Sequence, residues 1–201
     1  MLSTISQFLC ANVMLIGTSL QASPVACWNF DEFDGNSNRM KASHGNGMVV
    51  IGDAWTETAI SSPGGTNLNA IDEQPAGNAM GLSGMARNGR FFEVTIPGAG
   101  SGELHVSSAT RRSGSGYTAV ILSASVDGGN SFQEIDAWAP AEKWTVHSTS
   151  LPTAVSGENL IIRFTLDGAT AARGNIRFDN LVIARKAMPK SVEGRLADQP
   201  G

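Results

Sequence analysis

The sequence lacks most of what marks an enzyme. Its 201 residues include only two cysteines and three histidines. His44, His105 and His147 are scattered, with no H-x-H, H-E-x-x-H or Cys–His spacing of the kind that holds zinc or builds a thiol nucleophile. No G-x-S-x-G elbow, P-loop or G-x-G-x-x-G turn is present. Positive charge is sparse: 14 Lys and Arg stand against 18 Asp and Glu, for a net charge of −4. Arg111-Arg112 is the one adjacent basic pair in the body. A nucleic-acid partner needs clustered cations, so it is excluded. No apolar run reaches the roughly 20 residues of a membrane span. No window keeps apolar residues at i, i+3, i+4 and i+7 between caps, so helix is nearly excluded too.

What is abundant is punctuation. Twenty-three glycines, with many Ser, Thr, Asn and Asp, separate short alternating runs. The clearest runs lie near the end. Leu160, Ile162, Phe164 and Leu166 alternate with Ile161, Arg163, Thr165 and Asp167, and then Ile176, Phe178 and Val182 fall at even spacing. Period two over such lengths marks half-buried antiparallel strands. The same reading places strands near 26–33, 48–52, 67–71, 79–83, 89–96, 102–110, 117–126, 131–137, 143–150, 159–167 and 175–184. The spacing is that of a sandwich or barrel. No internal repeat appears, which disfavours a propeller or β-helix. A chain of this length builds one domain without a disulfide or metal staple.

Residues 1–23 carry no charged side chain, and Phe8 to Gly17 is mostly apolar. A run of about ten such residues before small ones and Pro24 reads as an export signal, with cleavage after Ala22 or Ala26. The body is then 24–184, exported to the periplasm, cell surface or medium. Residues 185–201 form a disordered tail or linker. Cys10 would leave with the signal, so Cys27 stands alone as a small buried hydrophobe. Position 24 holds Pro where a lipid anchor on Cys27 would want Leu.

Several phrases resemble a family of secreted bacterial jelly-roll domains. They are the opening Trp28-Asn29-Phe30-Asp31, the Ser108–Arg112 run, the Trp144 strand, Arg163–Thr170, and Gly174–Asn180 with its R-x-D-N wording. The resemblance implies an all-β, two-sheet antiparallel jelly-roll β-sandwich, with its first and last strands side by side. It further implies a carbohydrate-binding or adhesion role, with polysaccharide or cell-surface glycan as partner. In calcium-containing members, acids from the two terminal strands hold a structural ion. The matching residues here are Asp31, Asp34, Asp179 and Asn180, an oxygen set of the kind calcium takes. The alternative is that these acids cap turns or pair with Arg177 and Arg39. Ser125–Phe132 resembles an Asp-box hairpin, in which Asp127 caps the turn and Phe132 would plug into the core.

Sugar platforms are exposed aromatic rings, and the chain has one Tyr and four Trp. Trp28 and Trp144 begin strands and read as core. Trp55, Tyr117 and Trp138 flank turn-rich segments and are the candidate ligand platforms. Outward Arg163, Arg177 and Arg112 are expected to pair with Asp167, Asp179 or Glu103. Glu134 and Asp136 are expected to share one strand face. The functional expectation is an exported, non-catalytic, glycan- or matrix-binding module. The alternatives are a self-assembling surface protein and, further off, a glycan-active hydrolase. The oligomeric state is not legible.

Overall fold

The computed structural model describes residues 24–53, 55–100, 102–153 and 159–185. The expected export signal and the expected tail beyond Arg185 lie outside the described residues. Strands run in the order β1 (Pro24–Trp28), β2 (Arg39–Lys41), β3 (His44–Gly45), β4 (Met48–Ile51), β5 (Ile60–Ser61), β6 (Met80–Ser83), β7 (Arg90–Pro97), β8 (Leu104–Arg112), β9 (Ala119–Ser125), β10 (Gln133–Trp138), β11 (Thr145–Leu151), β12 (Asn159–Asp167) and β13 (Asn175–Arg185). Helix among the described residues is limited to short 3₁₀ turns, and none is long and apolar enough to cross a membrane.

Two antiparallel sheets result. One runs β10-β9-β12-β7-β4-β2. The other runs β11-β8-β13-β1-β3, with β6 and β5 extending beside β13. The fold is a two-sheet jelly-roll β-sandwich. Alternation along the strands builds it: Leu160, Ile162, Phe164 and Leu166 of β12 are all buried, while Arg163 and Thr165 face outward and stay half-exposed. Phe92 stacks on Phe164 at 4.8 Å, and Phe178 from the opposite sheet meets both edge-on at 4.9 and 5.8 Å. Each such ring contributes about 1.5–3 kcal/mol by leaving water. Together they join the two sheets.

The first strand does pair with the last: Ala26 lies opposite Ile183 and Trp28 opposite Leu181. The strand is shifted from its expected place, however. It begins at Pro24 and stops at Trp28, and Phe30 takes a φ of 55° that no strand accommodates. Trp28 donates its indole N–H to the Met40 carbonyl at 3.1 Å, closing the sandwich edge toward β2.

Two expectations are corrected. Residues 67–71 form no strand; they belong to a loop that crosses the outer face of the seven-stranded sheet, tied down through Asn180. Val182 does not point into the core. A bulge between Asp179 and Val182, with Asn180 at a φ of 46°, reverses the parity of β13. Ile176 and Phe178 point inward before it, and Leu181 and Ile183 after it. One inserted residue moves every later side chain to the other face.

Candidate functional site

The outer face of the six-stranded sheet is built by register. Cross-strand partners share a face, so a row runs from Glu134 on β10 through Ser123, Arg163, Glu93 and Val50 to Arg39 on β2. A flanking row holds Ala137, Ile121, Thr165 and Phe91, and another holds Ile161, Thr95 and Met48. The face is thus apolar and hydroxylated around a central charged stripe.

Arg163 sits at the middle of that stripe. Its Nε and Nη2 both donate to Glu93 Oε1, at 2.9 and 2.6 Å, and each side chain is only about a quarter exposed. Its guanidinium carbon lies 4.0 Å from the Phe91 ring centroid and 3.6 Å from that of Phe132. Cation–π contacts of this kind are worth about 0.5–2 kcal/mol each, rising with desolvation. The partner of Arg163 is Glu93, not Asp167, Asp179 or Glu103, because register sets Glu93 directly across from it. The other two arginines lie elsewhere. Arg177 faces out from the opposite sheet, near the Gly64 carbonyl, and Arg112 holds the carbonyls of Pro140, Ser113 and Gly114.

Phe132 reaches this face through the Ser125–Phe132 hairpin. The Asp127 carboxylate accepts the Ser131 N–H and hydroxyl and the Ser125 hydroxyl, which hold its pKa far below the usual range. The cap forms as its sequence implies. Phe132, however, is half-exposed over Arg163 instead of entering the core. The bulge between Glu134 and Asp136 also separates those two acids. Glu134 pairs with outward Ser123 and Asp136 with inward Leu122, so they do not share a face.

The aromatic residues singled out from the sequence lie elsewhere. Trp55 is 4% exposed, and its indole N–H donates to the Phe91 carbonyl at 2.9 Å. Tyr117 is fully buried, donates to the Gly84 carbonyl at 2.8 Å, and has its phenol pushed by burial up to about 12. Both are core plugs, which corrects the expectation of exposed platforms. Trp138 is half-buried, with one ring stacking on His147 at 4.1 Å and an edge contact to Phe164. One face of the ring packs at the sandwich edge against His147. Phe91 and Phe132 carry no mark of exposure of their own, because Phe reads as core in a sequence. The signal that could have found Phe91 was its odd position in the run Phe91, Glu93, Thr95, out of phase with Phe92, Val94 and Ile96.

The acids at the two terminal strands do converge in part. Asp179 is almost wholly buried; its carboxylate accepts the N–H groups of Thr66 and Asn180 at 2.7 and 2.8 Å. Burial pushes it up to about 6, against the pull of those donors, and the nearby Asp31 charge adds to the push. Asp31 accepts from the Asn29 amide at 2.7 Å and the Asn78 N–H at 3.2 Å. A Cβ on Gly77 would land on Asp31 Oδ1, and one on Gly65 would land against Asp179 Oδ2 and the Asn78 carbonyl. Among the described residues no Lys or Arg ion-pairs with either carboxylate. Hard oxygen donors and uncompensated negative charge suit calcium.

Asp34 and Asn180 each make contacts of their own beside that pair. Asp34 accepts the Asn36 N–H in its own turn, and no cluster of three acidic, His or Cys side chains forms among the described residues. Asn180 spends its amide nitrogen on the Thr66 and Leu68 carbonyls, at 2.8 and 2.9 Å. It is the clamp of the loop.

No protein-family profile matches the chain, and no curated protein matches it. Solved structures do. The CBM22-1 xylan-binding domain from Paenibacillus barcinonensis Xyn10C aligns over 83% of this chain and 97% of its own, at 10% identity and a TM-score of 0.52. The tandem CBM22-1–CBM22-2 domain of the same protein aligns over 84% of this chain and 48% of its own, at 13% identity and a TM-score of 0.53. The CBM22-1–GH10 modules of Clostridium thermocellum xylanase 10B, complexed with xylohexaose, align over 84% of this chain at 14% identity, with a TM-score of 0.49. This chain spans 30% of that structure. At such identities the likeness is one of fold: a jelly roll of the carbohydrate-binding-module type.

Proposed function

We propose that this protein is a non-catalytic glycan-binding module that holds a polysaccharide or cell-surface glycan across the outer face of its six-stranded sheet. The carrying observation is the Phe91–Arg163–Phe132 cluster, two half-exposed rings fixed about a guanidinium in the middle of an open face. Rings present C–H-stacking surfaces, the Arg163–Glu93 pair presents fixed donors and acceptors, and Thr95 and Thr165 add hydroxyls. The fold, which carbohydrate-binding modules share, supports the reading. Glu93 is committed to Arg163 and Asp136 to His147, which leaves neither free as a general acid or base. A glycan-array screen of the full chain, with Phe91→Ala as control, tests the proposal.

The same reading includes a structural calcium ion and export. Asp31 and Asp179 would supply its carboxylate oxygens and the Asn78 carbonyl another ligand. The ion would supply charge neutralisation that the surrounding side chains do not. Export to the periplasm, cell surface or medium is supported by the mostly apolar run Phe8 to Gly17, followed by small residues and Pro24.

A further inference from the structure

We propose that a concavity on the outer face of the seven-stranded sheet is a second binding site, for a hydroxyl-bearing sugar without an acidic group. It encloses about 740 Å³, within the range of about 300–1,000 Å³ typical of small-molecule sites. Its floor exists because of the β13 bulge. With parity reversed, Val182 points out beside its cross-strand partner Cys27, and the two make a small apolar patch.

The overlying segment is fixed in place. Asn69 donates to the Asn180 carbonyl at 2.7 Å and to the Ser107 hydroxyl at 3.0 Å. Asn69, Asp72 and Glu73 take φ values of 62°, 55° and 53°. Left-handed backbone at non-glycine residues persists only where the surroundings over-determine it. The wall is therefore held in one shape before any ligand arrives, which lowers the cost of binding.

The lining chemistry selects the ligand. His44, Asp72 and Gln74 stand exposed around the apolar floor, and no Lys or Arg lines the concavity. A floor of two side chains matches one C–H face of a sugar ring, and the amide, imidazole and carboxylate match its hydroxyls. Asp72 would repel a uronic acid or a phosphate. The site lies on the sheet opposite Phe91 and Phe132, so the two do not overlap. If the first face also holds glycan, as proposed above, one molecule can hold two chain segments.

Titration calorimetry on the full chain reads occupancy of the floor. Neutral pentoses and hexoses, an amino sugar and a uronic acid are the probes. The expected result is saturable binding of a neutral or amino sugar, with a Kd of about 1 mM or tighter, and none of the uronic acid. Asp72→Asn, which tolerates positive φ, and Gln74→Ala should each weaken that binding at least about tenfold. Phe91→Ala should leave it unchanged, which separates this site from the first. Absence of binding by every neutral and amino sugar overturns the assignment. So do equal binding of the uronic acid, indifference to both pocket variants, and loss of binding in Phe91→Ala.

Discussion

The Arg163 guanidinium carbon lies 3.6 Å from the centroid of the Phe132 ring, a contact between a strand centre and a hairpin tip. Asp127 makes it possible. By capping the Ser125–Phe132 turn it fixes the direction in which Phe132 leaves the hairpin. Asp127→Ala should therefore loosen Phe132 without unfolding the sandwich. The expected outcome is weaker glycan binding, with a melting temperature within a few degrees of wild type. A large loss of stability in Asp127→Ala would instead make the hairpin part of the folding core.

The β13 bulge gives a stability prediction. Leu181→Ala, at a fully buried position, should cost about 2–5 kcal/mol. Val182→Ala, one residue further and half-exposed, should cost less than about 1 kcal/mol. Denaturant unfolding of the two variants measures both. The opposite ranking would restore the uninterrupted alternation expected from sequence.

The sandwich edge is held by an acid-sensitive pair. Burial opposes ionisation of Asp136, but hydrogen bonds from His147, Thr149 and the Ala137 N–H outweigh it, so its pKa is lowered. A carboxylate with a depressed folded pKa stabilises above its unfolded value of about 3.9, and that contribution is lost as pH falls through the folded value. The stability difference between wild type and Asp136→Asn should shrink as pH falls below about pH 4. A difference that persists at the lowest pH would assign the effect to packing alone.

If calcium occupies the Asp31–Asp179 position, it binds only the folded chain. Stability then rises with the logarithm of free ion, by about 2.7 kcal/mol at a hundredfold excess over Kd. Thermal unfolding in millimolar calcium against chelator should separate for wild type and coincide for Asp179→Ala. Identical wild-type melting temperatures in the two buffers would leave those carboxylates as hydrogen-bond acceptors for the Thr66, Asn180 and Asn78 N–H groups.

The mature chain, if exported, should begin near Ser23. Ala26 is fully buried and paired with Ile183, so cleavage after it would remove three of the five residues of β1. N-terminal sequencing from the native host should find a start at Ser23 or Pro24. Recovery of residues 1–20 intact would contradict export.

How far the sequence was legible follows from which interactions decide each feature. Strong alternation in β12 and the first half of β13 gave the strands, the core residues and the two-sheet class, because burial on one face dictates period two. Short strands such as β2, β3 and β5 went unread; two or three residues carry no period. The bulges at Asn180 and between Glu134 and Asp136 were also invisible, since one inserted residue is set by tertiary pairing and not by local pattern. Trp55 and Tyr117 misled for a related reason. Turn-rich flanks do suggest exposure, but each ring found a carbonyl for its polar atom inside the core. Phe91 and Phe132 reverse that case, being apolar rings left outside by strand parity and by a capped turn.

Glycan binding on the face built around Phe91, Arg163 and Phe132 depends on both rings. Its most direct test is the affinity of the glycan found by array screening, measured calorimetrically for wild type, Phe91→Ala and Phe132→Ala. Each variant should lose at least about tenfold in affinity, or 1.4 kcal/mol, while keeping its unfolding transition. Wild-type affinity in both correctly folded variants would place the glycan elsewhere on the molecule.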